Sequence, residues 1–412
     1  MSFFISISRA ENSSGNSYYI EYLEFEGLNR TREAVLKREL SFTIPGQIDE
    51  KQIREYKERI KNLNLFKRVE YAIKQDTLVI MVDEVLSYMI VPSFHVIERD
   101  WSRITYGLMY IDFNLGGDKI FFSSYGWLGY NKGFSLSFLD DWFTSKKFII
   151  GANVSIAKYL NRNTEFDEIH QLFTVQLGKR FLKDIYFFVN VGKHMVIPPD
   201  EEKSLYNLPD KFNYNVFNIT LNIDKRNFMI FPSRGFYASV NYSTESKSLF
   251  SLDHKHVRLD FRQYLPVKGT VLAFRQYFHA ASQHLPLHDG VYFGYNERIR
   301  GHFDLIINSR AIVEYMAEFR FPVIKKRFYN IPYPFERFAH YFNNLEFGVS
   351  GGLFIDNGLY SDYWKNLSTK SRFYGYGASL YFHLPYNNIM RLDFAFDEKR
   401  NYEIILENVV SF

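Results

Sequence analysis

Arg310-Ala311-Ile312-Val313-Glu314-Tyr315-Met316-Ala317-Glu318-Phe319-Arg320-Phe321 alternates from end to end. Ala311, Val313, Tyr315, Ala317, Phe319 and Phe321 share one face, and Arg310, Glu314, Glu318 and Arg320 share the other, because successive side chains of a strand point to opposite faces. The same texture runs outward in both directions, from about Leu86 to the last residue. Near that end Tyr402, Ile404, Leu406, Val410 and Phe412 alternate with Asn401, Glu403, Glu407 and Ser411. Strands of a soluble sandwich are usually about five or six residues long, whereas a bilayer demands about nine to eleven, tilted. An apolar outer face and a charged inner face describe a closed barrel in lipid with a polar lumen. The pattern therefore predicts a transmembrane β-barrel of the outer-membrane kind.

Composition agrees. Aromatic residues make up 19% of the chain, with 42 Phe and 31 Tyr, and membrane barrels use such residues as girdles at both interfaces. Mean hydropathy is −0.24, and no run approaches the length of apolar sequence that a membrane-spanning helix needs. Cysteine is absent, which removes disulfides, thiolate metal sites and cysteine nucleophiles together and suits an oxidising periplasm. The net charge of +4 is weak and its charges are interleaved, so nucleic acid is not an expected partner. Residues 1–17 read as a disordered N-terminus or signal remnant, with Phe3–Ser8 followed by Arg9-Ala10.

Residues 18–85 differ in texture. Tyr18–Glu26 alternates as a strand and ends at Gly27; Thr31 is the expected N-cap of a helix through Leu40. A second helix is predicted from Asp49 to Leu63, with Ile53, Ile60 and Leu63 on one face and Asp49 and Gln52 spaced as a capping box. Val69–Lys74 and Thr77–Asp83, separated by Gln75-Asp76, read as a hairpin. The order β-α-α-β-β before a barrel resembles a POTRA (polypeptide-transport-associated) domain.

From 86 to 412 about sixteen antiparallel strands are expected. An even number returns both ends of the barrel sheet to the side of the N-terminal domain. Pro266-Val267-Lys268 and Pro385-Tyr386-Asn387 are short turns on that side; Val196–Phe212, Gln283–Ile307 and Gly358–Lys370 are long loops on the other. Val323–Asn344 is long on the wrong side and is read as a short amphipathic helix at the membrane surface.

Within Gln283–Ile307 stands Ile299-Arg300-Gly301-His302-Phe303. It resembles the Arg-Gly motif of the BamA/TamA family of outer-membrane assembly proteins, whose sixth external loop folds back into the lumen. The family pattern has an aromatic after the glycine; here His302 takes that place. Glu318 and Asp356, in Phe354-Ile355-Asp356-Asn357-Gly358, stand where the resemblance places carboxylates facing the arginine. Strand phase independently puts both in the lumen, Glu318 with Glu314 and Asp356 with Glu346. Phe231-Pro232-Ser233-Arg234-Gly235 resembles the family's turn into the ninth strand. A guanidinium offers five donors in a rigid fork that two carboxylates can pin, and Gly301 permits a tight turn. Arg300, Gly301, Glu318 and Asp356 are thus the expected lock of the lumen loop.

Other motifs carry less. Gly348-Val349-Ser350-Gly351-Gly352 satisfies G-x-S-x-G but falls mid-strand, without the strand-to-helix elbow that esterase chemistry needs. His254 and His256 lack a third metal ligand, and there is no phosphate loop or dinucleotide fingerprint. No enzyme, metal or cofactor is expected. The resemblance implies an assembly factor that inserts or translocates β-barrel or other clients by opening a lateral seam between the first and last strands, to which they add by β-augmentation. The seam would include Val91 and Pro92 on the first strand and Asn408, Val409 and Phe412 on the last; Pro92 cannot donate to a ladder. Expected partners are client outer-membrane or secreted polypeptides, outer-membrane lipid and periplasmic accessory proteins, with the N-terminal domain in the periplasm. A polypeptide secretion pore, the membrane anchor of a patatin-like passenger, and a passive porin are the alternatives.

Overall fold

The computed structural model describes residues 17–96, 101–161, 163–182, 184–247, 254–282, 284–294, 297–302, 305–332, 342–363, 371–385 and 388–407. The expected signal remnant up to residue 16, Phe303, Asn408, Val409 and Phe412 lie outside them.

The N-terminal unit comprises β1 (Ser17–Ile20), β2 (Tyr22–Glu26), α1 (Glu33–Lys37), β3 (Gly46–Asp49), α2 (Glu50–Asn62), β4 (Phe66–Lys74) and β5 (Thr77–Glu84). α2 starts as expected: the Asp49 carboxylate accepts from the Gln52 backbone N–H at 2.7 Å, and the Gln52 side chain accepts from the Asp49 N–H at 2.9 Å. Its buried face, Ile53, Tyr56 and Ile60, packs with Leu36, Ile48, Leu78 and Ile80 into one small core. The Tyr56 hydroxyl donates to the Leu36 carbonyl at 2.9 Å, so its burial leaves no unmet donor.

Two expectations in this unit need correction. Tyr18–Glu26 is two strands, because the backbone N–H groups of Glu21 and Tyr22 both donate to the Asp76 carbonyl and turn the chain there. β1 then pairs with β3 and β2 pairs in parallel with β5. Thr31 does not cap α1. Arg32 occupies that place without a side-chain bond, while Thr31 donates its N–H to Glu84 and accepts at its hydroxyl from Asn114.

The barrel wall is β6 (Tyr88–Val96), β7 (Ile104–Leu115), β8 (Ile120–Gly129), β9 (Lys132–Asp140), β10 (Phe148–Leu160), β11 (Asp167–Arg180), β12 (Ile185–Ile197), β13 (Phe212–Asp224), β14 (Gly235–Ser246), β15 (His254–Val267), β16 (Thr270–Ala281), β19 (Ala311–Tyr329), β20 (Leu345–Ser361), β21 (Arg372–Leu384), β22 (Asn388–Asp397) and β23 (Tyr402–Glu407). A short helix, α3 (Asp200–Tyr206), precedes β13, and a hairpin of β17 (Val291–Phe293) and β18 (Ile307–Ser309) lies within the loop between β16 and β19. These sixteen strands form one sheet, each antiparallel to its neighbour, in the order β23 back to β6. The twelfth barrel strand begins at Ala311, because Ile307–Ser309 belongs to the small hairpin.

Phase is as the sequence predicts. On β19, Glu314, Glu318 and Arg320 are at most 2% exposed, whereas Tyr315 and Phe319 are 47% and 37% exposed. The exposed face is the surface available to lipid, and Leu108, Ile156, Leu177, Val240, Leu353 and Ile404 extend it round the wall. No helix among the described residues is long and apolar enough to cross a membrane; the crossing elements are strands.

The amphipathic helix expected after Val323 is not found over Val323–Tyr329. There β19 continues past the end of its ladder with β16 at Arg320, paired only with the start of β20. Val323, Ile324, Phe328 and Tyr329 favour an extended chain, and Lys326 closes the ribbon by an ion pair to Glu346 at 2.7 Å. Residues 333–341 of the segment lie outside the described residues.

The N-terminal unit seats on the near end of the barrel. The Glu84 carboxylate accepts from three successive backbone N–H groups, Asn29, Arg30 and Thr31. Arg30 then reaches Asp112 at 2.7 Å. The Arg32 N–H donates to the Gly117 carbonyl, and a Cβ at Gly117 would lie 2.3 Å from the Arg30 carbonyl oxygen, so only glycine allows this approach. Further round the rim Arg180 holds Glu39, Arg234 holds Glu58, Asn62 bonds Asn227 and Met229, and Asn344 bonds Asp83.

Candidate functional site

The described residues of the loop between β16 and β19 include Arg300, which lies inside the wall at the level of Glu318. Glu318 stands seven positions along β19 from Ala311, so the loop tip lies roughly 20 Å along the strand from the far end. Two glycines make the approach possible. Gly301 has φ +94°, a region costly for any side chain, and a Cβ there would stand 2.6 Å from the Phe396 carbonyl oxygen. Gly375 on β21 is more demanding: its Cβ would sit 1.6 Å from the Arg300 carbonyl oxygen.

Arg300 is 4% exposed. Its Nε and Nη2 donate to the two oxygens of Asp356 at 2.7 and 2.8 Å, a bidentate pair, and Nη1 donates to Glu318 Oε2 at 2.8 Å. The guanidinium lies 3.5 Å from the centre of the Phe354 ring. Glu318 is shared: Arg320 Nε donates to its other oxygen at 2.7 Å, as does the Tyr381 hydroxyl at 2.5 Å. Charges this buried are stable only when each is paired and hydrogen-bonded, and fork-to-fork geometry is the strongest form of that pairing. The four residues singled out from the sequence meet at one place. His302 packs edge-on to Phe373 and lies 3.0 Å from the Tyr374 carbonyl oxygen.

Sequence reasoning missed three further groups around the loop. Arg275 on β16 holds Glu297 of the loop together with Asp260 and Glu314 of the wall. Arg298 donates to Glu407 on β23 at 2.7 Å. Near the far end, His170 and His194 stand 3.1 Å apart, as do His256 and His279 at 3.0 Å, and Asp289 of the loop accepts from His256 at 2.8 Å. Strand phase alone marks the wall members of these groups as lumenal. The loop members carry no phase, so nothing in the sequence aligns them with the wall.

The remaining motifs are placed as follows. Ser350 of the G-x-S-x-G stretch lies in the middle of β20, with its hydroxyl 2.8 Å from His383 Nε2. Glu346, the acid nearby on β20, pairs with Lys326 instead. His254 lies 3.4 Å from the His284 carbonyl oxygen and is not part of the His256 pair. Among the described residues no three His, Asp or Glu side chains form a group that could hold a metal ion. Val91 and Pro92 lie on β6, opposite Met109 and Leu108 of β7. Among the described residues no ladder joins β6 to β23.

Residues 111–405 match the Omp85 superfamily domain, and residues 18–85 match the POTRA repeat described as a surface antigen variable number repeat. Among solved structures, BamA from Haemophilus ducreyi lacking POTRA domains 1–3 is similar at 16% identity over 94% of this chain and 83% of its own, with a TM-score of 0.56. CdiB from Escherichia coli is 10% identical over 98% of this chain and 91% of its own, with a TM-score of 0.49. None of the curated proteins matches the chain.

Proposed function

The chain belongs to the Omp85 superfamily, and from that premise we propose that it is an outer-membrane assembly factor that inserts or translocates client polypeptides without nucleotide energy. The barrel, residues 86–412, spans the outer membrane, and the POTRA unit, residues 18–85, stands in the periplasm, where clients and accessory proteins reach it. The route is a lateral gate between β6 and β23. The observation that carries this reading is the pair of sheet ends: fifteen antiparallel ladders link sixteen strands, and among the described residues none links the first to the last. An unpaired strand edge is a template for another chain, and an incoming strand would gain main-chain bonds there by β-augmentation. Arg300, bound between Asp356 and Glu318, braces the wall of β19 and β20 and fixes the loop while the gate works.

The test is a disulfide across the seam, Val91→Cys with Val409→Cys, in a chain that has no other cysteine. Insertion of a model barrel into liposomes should stop on oxidation and return on reduction. If insertion is unaffected by the lock, the gate is refuted. If insertion never depends on the protein, while the reduced form passes an extended polypeptide, the chain is a secretion pore.

A further inference from the structure

Arg298 and Arg300 are two residues apart in the loop, with the buried Ile299 between them, yet they reach different parts of the wall. Arg300 takes Asp356 and Glu318 on β20 and β19. Arg298 takes Glu407, the last described residue of β23, at 2.7 Å. Glu407 is held from a second side by Arg391, which stands directly opposite it in the β22–β23 ladder. Arg391 Nε in turn lies 2.8 Å from Asp393, and the other oxygen of Asp393 lies 4.0 Å from Arg300. The charges alternate through Asp356, Arg300, Asp393, Arg391, Glu407 and Arg298, from the middle of the wall to the strand at the sheet's edge and back to the loop.

β23 needs such a holder. Its backbone is bonded to β22 on one side only among the described residues. Its outward residues Tyr402, Ile404 and Leu406 are 74%, 56% and 63% exposed, each standing opposite a residue of β22 alone among the described strands. On the lumen side Ile405 is buried, and Glu407 is held by one cation from the neighbouring strand and one from the loop. Both guanidiniums are largely shielded, with Arg298 at 23% and Arg391 at 5% side-chain exposure, so solvent screens the pair less than it would an open surface bridge.

We propose that Arg298 and Glu407 form the tie by which the lumen loop controls the last strand. With the loop seated, two cations share the Glu407 carboxylate and hold β23 against β22. With the loop displaced, Glu407 keeps only Arg391, and the edge strand frays. Arg298 is a positioning residue for the gate rather than a contact for the client, and this role rests on the lateral-gate reading above.

The measurement is backbone hydrogen exchange in the full chain reconstituted in nanodiscs. Loss of one charge-assisted bond at a strand held on one side should speed exchange of the amides at 402–407 about tenfold, and Arg298→Gln is expected to do so while amides of β10 and β11 stay unchanged. Arg298→Lys should retain most of the protection. Arg298→Gln should add nothing once Glu407 is already Gln, because the partner is gone. Unchanged exchange at 402–407 in Arg298→Gln, or single effects that simply add, overturns the tie. The seam disulfide separates this outcome from the gate reading. A seam whose oxidation stops insertion, beside an Arg298→Gln variant of normal protection, removes the tie and leaves the gate. A tie with the expected exchange pattern, beside a seam lock that leaves insertion unchanged, removes the gate.

Discussion

Asp356 is fully buried, and its charge is met by the fork of Arg300. Removing one partner of such a pair costs more than removing both, because the survivor remains desolvated. Arg300→Met is therefore expected to destabilise the barrel by about 3–5 kcal/mol, read as a lower urea midpoint for loss of the compact band on unheated gels. Adding Asp356→Asn to that variant should recover most of the loss, since the carboxylate then no longer lies unpaired. Glu318 should matter less to this recovery, as Arg320 and Tyr381 still hold it. These residues were legible in the sequence because strand phase assigns Glu318 and Asp356 to the lumen with no knowledge of the loop. The loop residues Arg298 and Glu297 were not. Which wall residue a loop side chain meets is set by the loop's path, and alternation does not encode that path.

The loop itself depends on the bareness of the strand it lies against. A methyl group on Gly375 has no room beside the Arg300 carbonyl, so Gly375→Ala should lift the loop tip out of its seat. The expected result is faster protease cleavage within 283–307, with the barrel still folded. Gly126→Ala is the matched control: its nearest neighbour would be a ring carbon of Phe134 at 3.9 Å, an ordinary contact. At this scale the long strands were readable and the short ones were not. Gly46–Asp49 offers only Ile48 as a buried apolar residue, too little for a period to appear. Tyr18–Glu26 kept its alternation through the bend at Glu21, since the bend is imposed by a carbonyl from Asp76 elsewhere in the chain. The Val323–Tyr329 ribbon was misread because Lys325-Lys326-Arg327 breaks the apolar period, although β-branched and aromatic residues flank it.

At the scale of the molecule, the two units are joined by charged side chains that span the near rim of the barrel. Lys61 on α2 is half-buried beside this junction, and loss of solvent pushes its ammonium down to about 8, with Glu346 opposing and Lys326 and Lys57 adding to the shift. The sign follows from the lowered value. Below pH 8 Lys61 is charged both in the folded chain and out of it, and the folded state bears the burial cost. From about pH 8 to its ordinary value of 10.5 the folded state alone sheds the proton, so stability rises across that window. Protection of the amides in β4 should rise with pH over the same range, after correction for intrinsic exchange, and Lys61→Met should abolish the slope. That a small N-terminal unit precedes a barrel was legible from texture alone, but their contact surface was not, because Glu39, Glu58 and Arg180 look like ordinary solvated charges in sequence. Among the described residues no ladder joins β6 to β23, and an open seam there would have a mechanical meaning as well. A hoop bears squeezing and stretching along its circumference, but a split hoop passes that load to whatever crosses its interior. Here the loop is such a chord, anchored at β19 and β20 by Arg300 and at β23 by Arg298. If the seam parts as proposed, lateral pressure in the surrounding bilayer would be borne across the lumen by a few guanidinium–carboxylate contacts, and the ease of parting would be a property of the lipid as much as of the protein.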